Sequence, residues 1–174
     1  ITIKYTFIIF FLFHNLFSYS QISFSQNNSI NVIENNSILQ NAWAGGLNFC
    51  QFSEIDFNLD GNKDIFIFDR SGKNTINNGN RIVPMLYIEE TNEYVFAPEY
   101  VNNFPENLEN WVLLVDYNQD GKEDIFTSTS NAIALFTNIS SENLEFEFTK
   151  ILTTDSGFGP TNLYVDGVDL PAIV

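Results

Sequence analysis

Two stretches of the chain gather side-chain oxygens at matched spacing. The first is Asp56-Phe57-Asn58-Leu59-Asp60-Gly61-Asn62-Lys63-Asp64-Ile65-Phe66. The second, offset by 60 residues, is Asp116-Tyr117-Asn118-Gln119-Asp120-Gly121-Lys122-Glu123-Asp124-Ile125-Phe126. Asp, Asn, Asp, Gly, Asp, Ile and Phe recur in register, and an aromatic residue follows the first Asp in both. In the pattern D-x-N-x-D-G-x-x-D, oxygens at positions 1, 3 and 5 of a tight loop converge on one point. Gly at position 6 permits the sharp turn, position 7 offers its backbone carbonyl, and the last Asp closes the shell. Carboxylates held this close repel one another unless a cation sits between them. An all-oxygen, flexible cage suits Ca2+, whereas Mg2+ demands stricter octahedral geometry and keeps more of its water.

The expected ligands of the first site are the side chains of Asp56, Asn58, Asp60 and Asp64, with the carbonyl of Asn62. Those of the second are the side chains of Asp116, Asn118, Asp120 and Asp124, with the carbonyl of Lys122. The competing reading of either loop is a set of metal-free Asx-turns, in which the same side chains accept backbone N–H groups. An EF-hand is rejected. It requires a Glu at loop position 12 and a following helix, but position 12 is Ile67 in one loop and Thr127 in the other.

The elements that must hold these loops read as strands. Ile65 to Phe68 follows the first loop as a β-branched and aromatic run, with Ile65 and Ile67 pointing one way and Phe66 and Phe68 the other. Trp111 to Val115 enters the second loop as a continuous apolar run, which implies burial on both faces. Further strands are expected over Ile82–Glu89, Tyr94–Ala97, Ala132–Thr137 and Leu144–Ile151, separated by Asn-, Gly- and Ser-rich turns. No 3.6-residue apolar stripe occurs. Each unit of about 60 residues thus offers four short antiparallel strands, with the oxygen-rich loop between the first two. The expected class is all-β.

Four-stranded antiparallel sheets in series, apolar on both faces, are what blades of a β-propeller require. The two loops, each leading into Asp-Ile-Phe, resemble the FG-GAP/VCBS repeats of integrin-α-type propellers. The run Trp43-Ala44-Gly45-Gly46-Leu47-Asn48 with Gln51 to Asp56 is similar to the first blade of large secreted bacterial proteins of that kind. The resemblance implies calcium in the turn between a blade's first two strands. It further implies blades over about residues 43–105 and 106–165, and a third beginning at about 166. Leu170 to Val174 matches Trp111 to Val115 at an offset of 59, so the chain is expected to be a fragment of a longer propeller, resuming with Asp at 175 or 176.

Charge and composition bound the function. The chain of 174 residues has 22 acidic against 7 basic side chains, a formal net charge of −15. Such a surface disfavours nucleic acid and anionic membrane. Its 44% hydrophobic content, with 16% aromatic, excludes a disordered acidic tail. Lys4, the apolar run Tyr5 to Phe13, and small residues at Ser18 and Ser20 read as a secretory signal over residues 1–20, leaving 21–42 as a linker. The apolar run is shorter than the roughly 20 residues a membrane span needs. A secreted or cell-surface location follows, as does loss of the only histidine, His14, with the signal. Histidine-based catalysis and histidine-ligated metal are thereby excluded from residues 21–174. The lone Cys50 is expected to be a small buried hydrophobe.

The function expected on these grounds is that of a calcium-stabilised binding or adhesion module and not an enzyme. Its partner would be an extracellular protein or polysaccharide, and it would need the rest of its own propeller. The alternative is a secreted polysaccharide lyase or glycosidase on the same scaffold. Its acids would come from Glu89, Glu90, Glu93, Glu106, Glu109, Asp166 and Asp169, with Arg70 or Arg81 as the cation. An aromatic sugar platform would draw on Trp43, Trp111, Tyr87, Tyr94, Tyr100 and Tyr164.

Overall fold

The computed structural model describes residues 27, 29–71, 81–106, 108–129, 132–157 and 159–163. The signal-like segment 1–20, Tyr164, Asp166, Asp169 and the run Leu170 to Val174 lie outside the described residues, and so does the side chain of Arg81. The chain divides into units Ile1–Val32 and Ile33–Val174. In the first, Asn27 Oδ1 accepts the backbone N–H and the hydroxyl of Ser29.

The second unit opens with a hairpin of β1 (Ile33–Glu34) and β2 (Ser37–Ile38). Its two-residue turn places Asn35 and Asn36 at φ 50° and 65°. Hairpins of this length favour such a left-handed pair, and Asn tolerates it better than most residues.

Two four-stranded antiparallel sheets follow, each a simple meander. The first runs β3 (Cys50–Ile55), β4 (Asp64–Asp69), β5 (Arg81–Ile88) and β6 (Glu93–Phe96). The second runs β7 (Glu109–Val115), β8 (Asp124–Thr129), β9 (Ala132–Asn138) and β10 (Phe146–Ile151). Neither closes on itself. A 3-10 helix over Pro98–Asn103 joins them, started by a proline whose missing N–H costs nothing at that position. A short pair, β11 (Thr153–Asp155) and β12 (Pro160–Asn162), ends the described chain. The protein is all-β, and among the described residues no helix is long and apolar enough to cross a membrane.

Side-chain alternation decides the packing. Phe66 and Phe68 of β4 face Val112 and Leu114 of β7 and Ile125 of β8, forming one buried core between the sheets. The opposite face of β4 carries Ile65 and Ile67, which pack with Val83 and Ala44. The far face of the second sheet buries Trp111, Phe126, Ile133 and Leu135 beneath Leu152. Both sheets are therefore apolar on both faces, as the uninterrupted runs implied. Cys50 is half-buried on β3 and free of any disulfide.

Phe104, in the connection after the 3-10 helix, is the seam. Its ring lies 4.8 Å from Phe66 of the first sheet, 5.3 Å from Phe146 of the second, and edge-on to Phe57 at 6.1 Å. Polar ties reinforce it. Val112 donates its N–H to Gln51 Oε1 (3.0 Å), Arg70 Nε donates to the Asn110 carbonyl (2.6 Å), and Lys63 pairs with Glu123. Residues 40 and 41, at the end of the expected linker, also join the first sheet. Gln40 donates to Glu93, and Asn41 bonds the carbonyl of Tyr94 and the N–H of Phe96.

Truncating Phe104 to Ala should cost about 3–5 kcal/mol, the range for emptying a buried aromatic site. Phe52→Ala, at a side chain 63% exposed, should stay within about 0.5 kcal/mol of wild type. Urea unfolding of both variants checks this, and equal mild effects would mean that Phe104 does not join the sheets.

Candidate metal sites

Both oxygen-rich loops sit at the same place, between the first and second strands of a sheet. In the first sheet Ile55 pairs with Asp64 across the hairpin, and in the second Val115 pairs with Asp124. The backbone repeats closely as well. Position 4 is left-handed in each, Leu59 at φ 61° and Gln119 at φ 63°, and the position-6 glycines lie at φ 90° and 89°. Nothing stands within 4 Å of where a Cβ would fall on Gly61 or Gly121. Glycine is required there by backbone angle and not by space.

The hydrogen bonds match one for one. Asp56 accepts the N–H of Asp60 (3.1 Å) and of Gly61 (2.8 Å), and Asp116 accepts those of Asp120 (3.1 Å) and Gly121 (2.9 Å). Asn58 Oδ1 and Asn118 Oδ1 accept the same N–H of Asp60 and Asp120. Their amide groups donate to Asp60 Oδ2 and Asp120 Oδ2. The other oxygen of each Asp accepts the position-7 N–H, that of Asn62 (2.7 Å) or Lys122 (2.9 Å). The Lys122 ammonium itself turns away to the Ser140 carbonyl.

Position 9 is different in kind. Asp64 is 1% exposed and Asp124 is fully buried. Asp64 Oδ2 accepts the N–H of Phe57 in the loop (2.6 Å), and its Oδ1 accepts that of Tyr87 on β5 (2.7 Å). Asp124 does the same with Tyr117 (3.0 Å) and Asn138 on β9 (2.8 Å). Each buried carboxylate thus joins its loop to the third strand of its sheet. Burial pushes the Asp64 carboxyl above the ordinary carboxylate value against the pull of its two N–H donors, and the charges of Asp56 and Asp60 add to the rise. Asp60 moves the other way, held low by the Asn62 N–H and the Asn58 amide.

The aromatic at position 2 has two environments. Phe57 is buried under Tyr100, stacked at 5.3 Å, whereas Tyr117 is 48% exposed beneath the Lys150 ammonium. The Tyr100 hydroxyl is raised by burial, with Glu99 and the acids Asp64, Asp60 and Asp56 contributing.

The donor set of each loop is all oxygen and largely anionic, chemistry that fits a hard cation such as Ca2+. The side-chain oxygens are turned onto backbone N–H groups, as Asx-turns would have them. Among the described residues no three Asp, Glu, His or Cys side chains gather into a cage around one point. No described buried side-chain nitrogen or oxygen lacks a partner.

The other candidates are dispersed. Glu89, Glu90, Glu106 and Glu109 are exposed, and Glu93 holds Gln40. Arg70 lies over the ring of Phe49 at 4.6 Å. Of the aromatics, Trp111 is core, Tyr100 is stacked on Phe57, Tyr87 and Tyr94 pair at 5.3 Å, and Trp43 is 41% exposed. One carboxylate, Asp69 at the end of β4, was not singled out by sequence. It accepts the Ser71 hydroxyl (2.6 Å) and the N–H groups of Ser71, Phe49 and Asn48. Its pKa is lowered, chiefly by the Ser71 hydroxyl and against desolvation.

Because its folded-state pKa lies below the unfolded value of about 3.9, Asp69 adds stability that is present above that pH. The contribution is lost as pH falls through the folded value. Asp69→Asn should therefore unfold more readily at pH 7, by about 1–3 kcal/mol, and the gap to wild type should narrow on acidification below about pH 4. Denaturant melts at pH 7 and pH 3 test this, a constant gap being the contrary result. Gly61→Ala and Gly121→Ala should each cost about 1–2 kcal/mol through backbone strain alone, read from the same melts.

No family model matches the chain, and neither a curated protein nor a solved structure resembles it significantly.

Proposed function

We propose that the chain is part of a secreted, calcium-stabilised β-propeller that serves as a binding or adhesion module, with calcium in a structural role. One observation carries this reading: two successive sheets present the same oxygen-rich loop at the same hairpin, alike down to individual hydrogen bonds. Turn formation alone needs one or two Asx residues. Four oxygen-bearing side chains per loop, three of them acids, exceed that need.

In the proposed site the side chains of Asp56, Asn58, Asp60 and Asp64, with the Asn62 carbonyl, would hold the ion. Asp116, Asn118, Asp120 and Asp124, with the Lys122 carbonyl, would do so in the second loop. A bound Ca2+ would supply the positive charge that offsets the mutual repulsion of these acids. The residues of the chain do the rest: the glycine bends the loop, the hairpin strands fix its ends, and the apolar faces stack one sheet on the next. Sheets apolar on both sides suit serial stacking around a propeller. Extracellular calcium modules bind weakly, with Kd of roughly 10⁻⁴ to 10⁻³ M.

At about 1 mM calcium and a Kd near 0.1 mM, each site should add roughly 1.4 kcal/mol. Thermal melting with CaCl2 and with EGTA tests this. The account expects a higher midpoint with calcium, and identical midpoints would count against it.

A further inference from the structure

Asp64 and Asp124 do something that the remaining loop acids do not. Asp56, Asp60, Asp116 and Asp120 accept only from N–H groups inside their own loop or its neighbouring Asn amide, at or near the surface. Asp64 and Asp124 are buried, stand on the first residue of the second strand, and reach out of the loop. Each joins position 2 of the loop to a third-strand residue, Tyr87 in one sheet and Asn138 in the other.

The two third-strand donors do not follow the sequence repeat. Tyr87 and Asn138 are 51 residues apart, while the loops are 60 apart. Eleven residues separate β4 from β5 and only two separate β8 from β9. The bond to the third strand is kept in spite of that difference. The pairing of second and third strands keeps the same register in both sheets, Ile65 opposite Met85 and Ile125 opposite Phe136, so each buried carboxylate meets the N–H two residues beyond that partner whatever the length of the connection.

We infer that Asp64 and Asp124 are positioning residues that fix the shape of each loop with no ion present. The purpose assigned to that shape, a pre-formed calcium site, rests on the reading above. An isolated buried carboxylate is costly, and one supplied with an N–H on each oxygen is held in a single geometry. The loop and third strand are thereby locked together before binding. Binding then need not fold the loop.

The wild-type chain tests this without mutation. In EGTA, hydrogen exchange of the Phe57, Tyr87, Tyr117 and Asn138 amides should be slowed about 100-fold or more relative to an unstructured chain. Free exchange in EGTA, with protection arising only after CaCl2 is added, would overturn the proposal and leave position 9 as an ion ligand alone. Variants separate the roles. Asp64→Asn should lower the EGTA melting midpoint by about 10 °C. Asp60→Asn, at a surface carboxylate, should lower that midpoint less than Asp64→Asn does and weaken calcium binding about tenfold, measured by calorimetric titration. An Asp64→Asn chain that melts like wild type in EGTA would refute the positioning role. Should wild type take up no calcium while its four amides stay protected, the positioning role stands and the calcium reading falls.

Discussion

A charged side chain that folds into an apolar interior must find a hydrogen bond for each of its oxygens, and this requirement organises both sheets. Asp64 and Asp124 meet it with main-chain N–H groups from two directions. The first hairpin, its loop and the third strand are then no longer independent pieces. An unpaired buried carboxylate would cost several kcal/mol, so the geometry around it is tightly specified. Inside the loops the shared acids at positions 1 and 5 bond the N–H groups of positions 5, 6 and 7, and the backbone angles at positions 4 and 6 are nearly the same in both. Even Leu59 and Gln119, which gain nothing from a left-handed φ, accept it.

Around these fixed points the sheets pack by simple alternation. The β4 strand sends Phe66 and Phe68 into the core between the sheets and Ile65 and Ile67 into the other face. Phe104 touches aromatic residues of both sheets, so the connection after the 3-10 helix acts as a wedge of core and not as a loose link. The same connection covers Phe57 with Tyr100. At the second loop Lys150 sits over Tyr117 instead, which accounts for one position-2 aromatic being buried and the other half-exposed.

Much of this was readable in the residues. The loops and the first two strands of each sheet keep the 60-residue offset, and the recurring Asp, Asn, Asp, Gly, Asp, Ile and Phe mark it. Trp111 was expected in the core and lies there. The four expected later strands appear within two residues of their bounds. The third-strand contacts were not readable, because the repeat shifts there and because the groups used are backbone N–H groups, which leave no mark on residue type. Asp69 was legible only as the first residue of a turn, Asp69 to Gly72, whose i to i+2 spacing gives its Ser71 bonds; the donors Asn48 and Phe49 approach through backbone N–H groups that leave no mark on residue type. The 3-10 helix carries no apolar stripe, and its only signal is Pro98. Cys50 was expected to be buried and is only partly so: it sits on the edge strand β3 and packs against the Ile67 and Val83 cluster.

The proposed calcium role joins these local facts to the charge of the whole molecule. A chain at −15 gathers acids in two loops, and the position-9 acid of each accepts main-chain N–H groups from its loop and from the third strand. The most direct measurement is equilibrium dialysis of the chain against radioactive calcium at millimolar free ion. Two ions retained per chain, with a dissociation constant of about 0.1 to 1 mM, is the predicted result. Retention no greater than a protein-free blank would contradict the account.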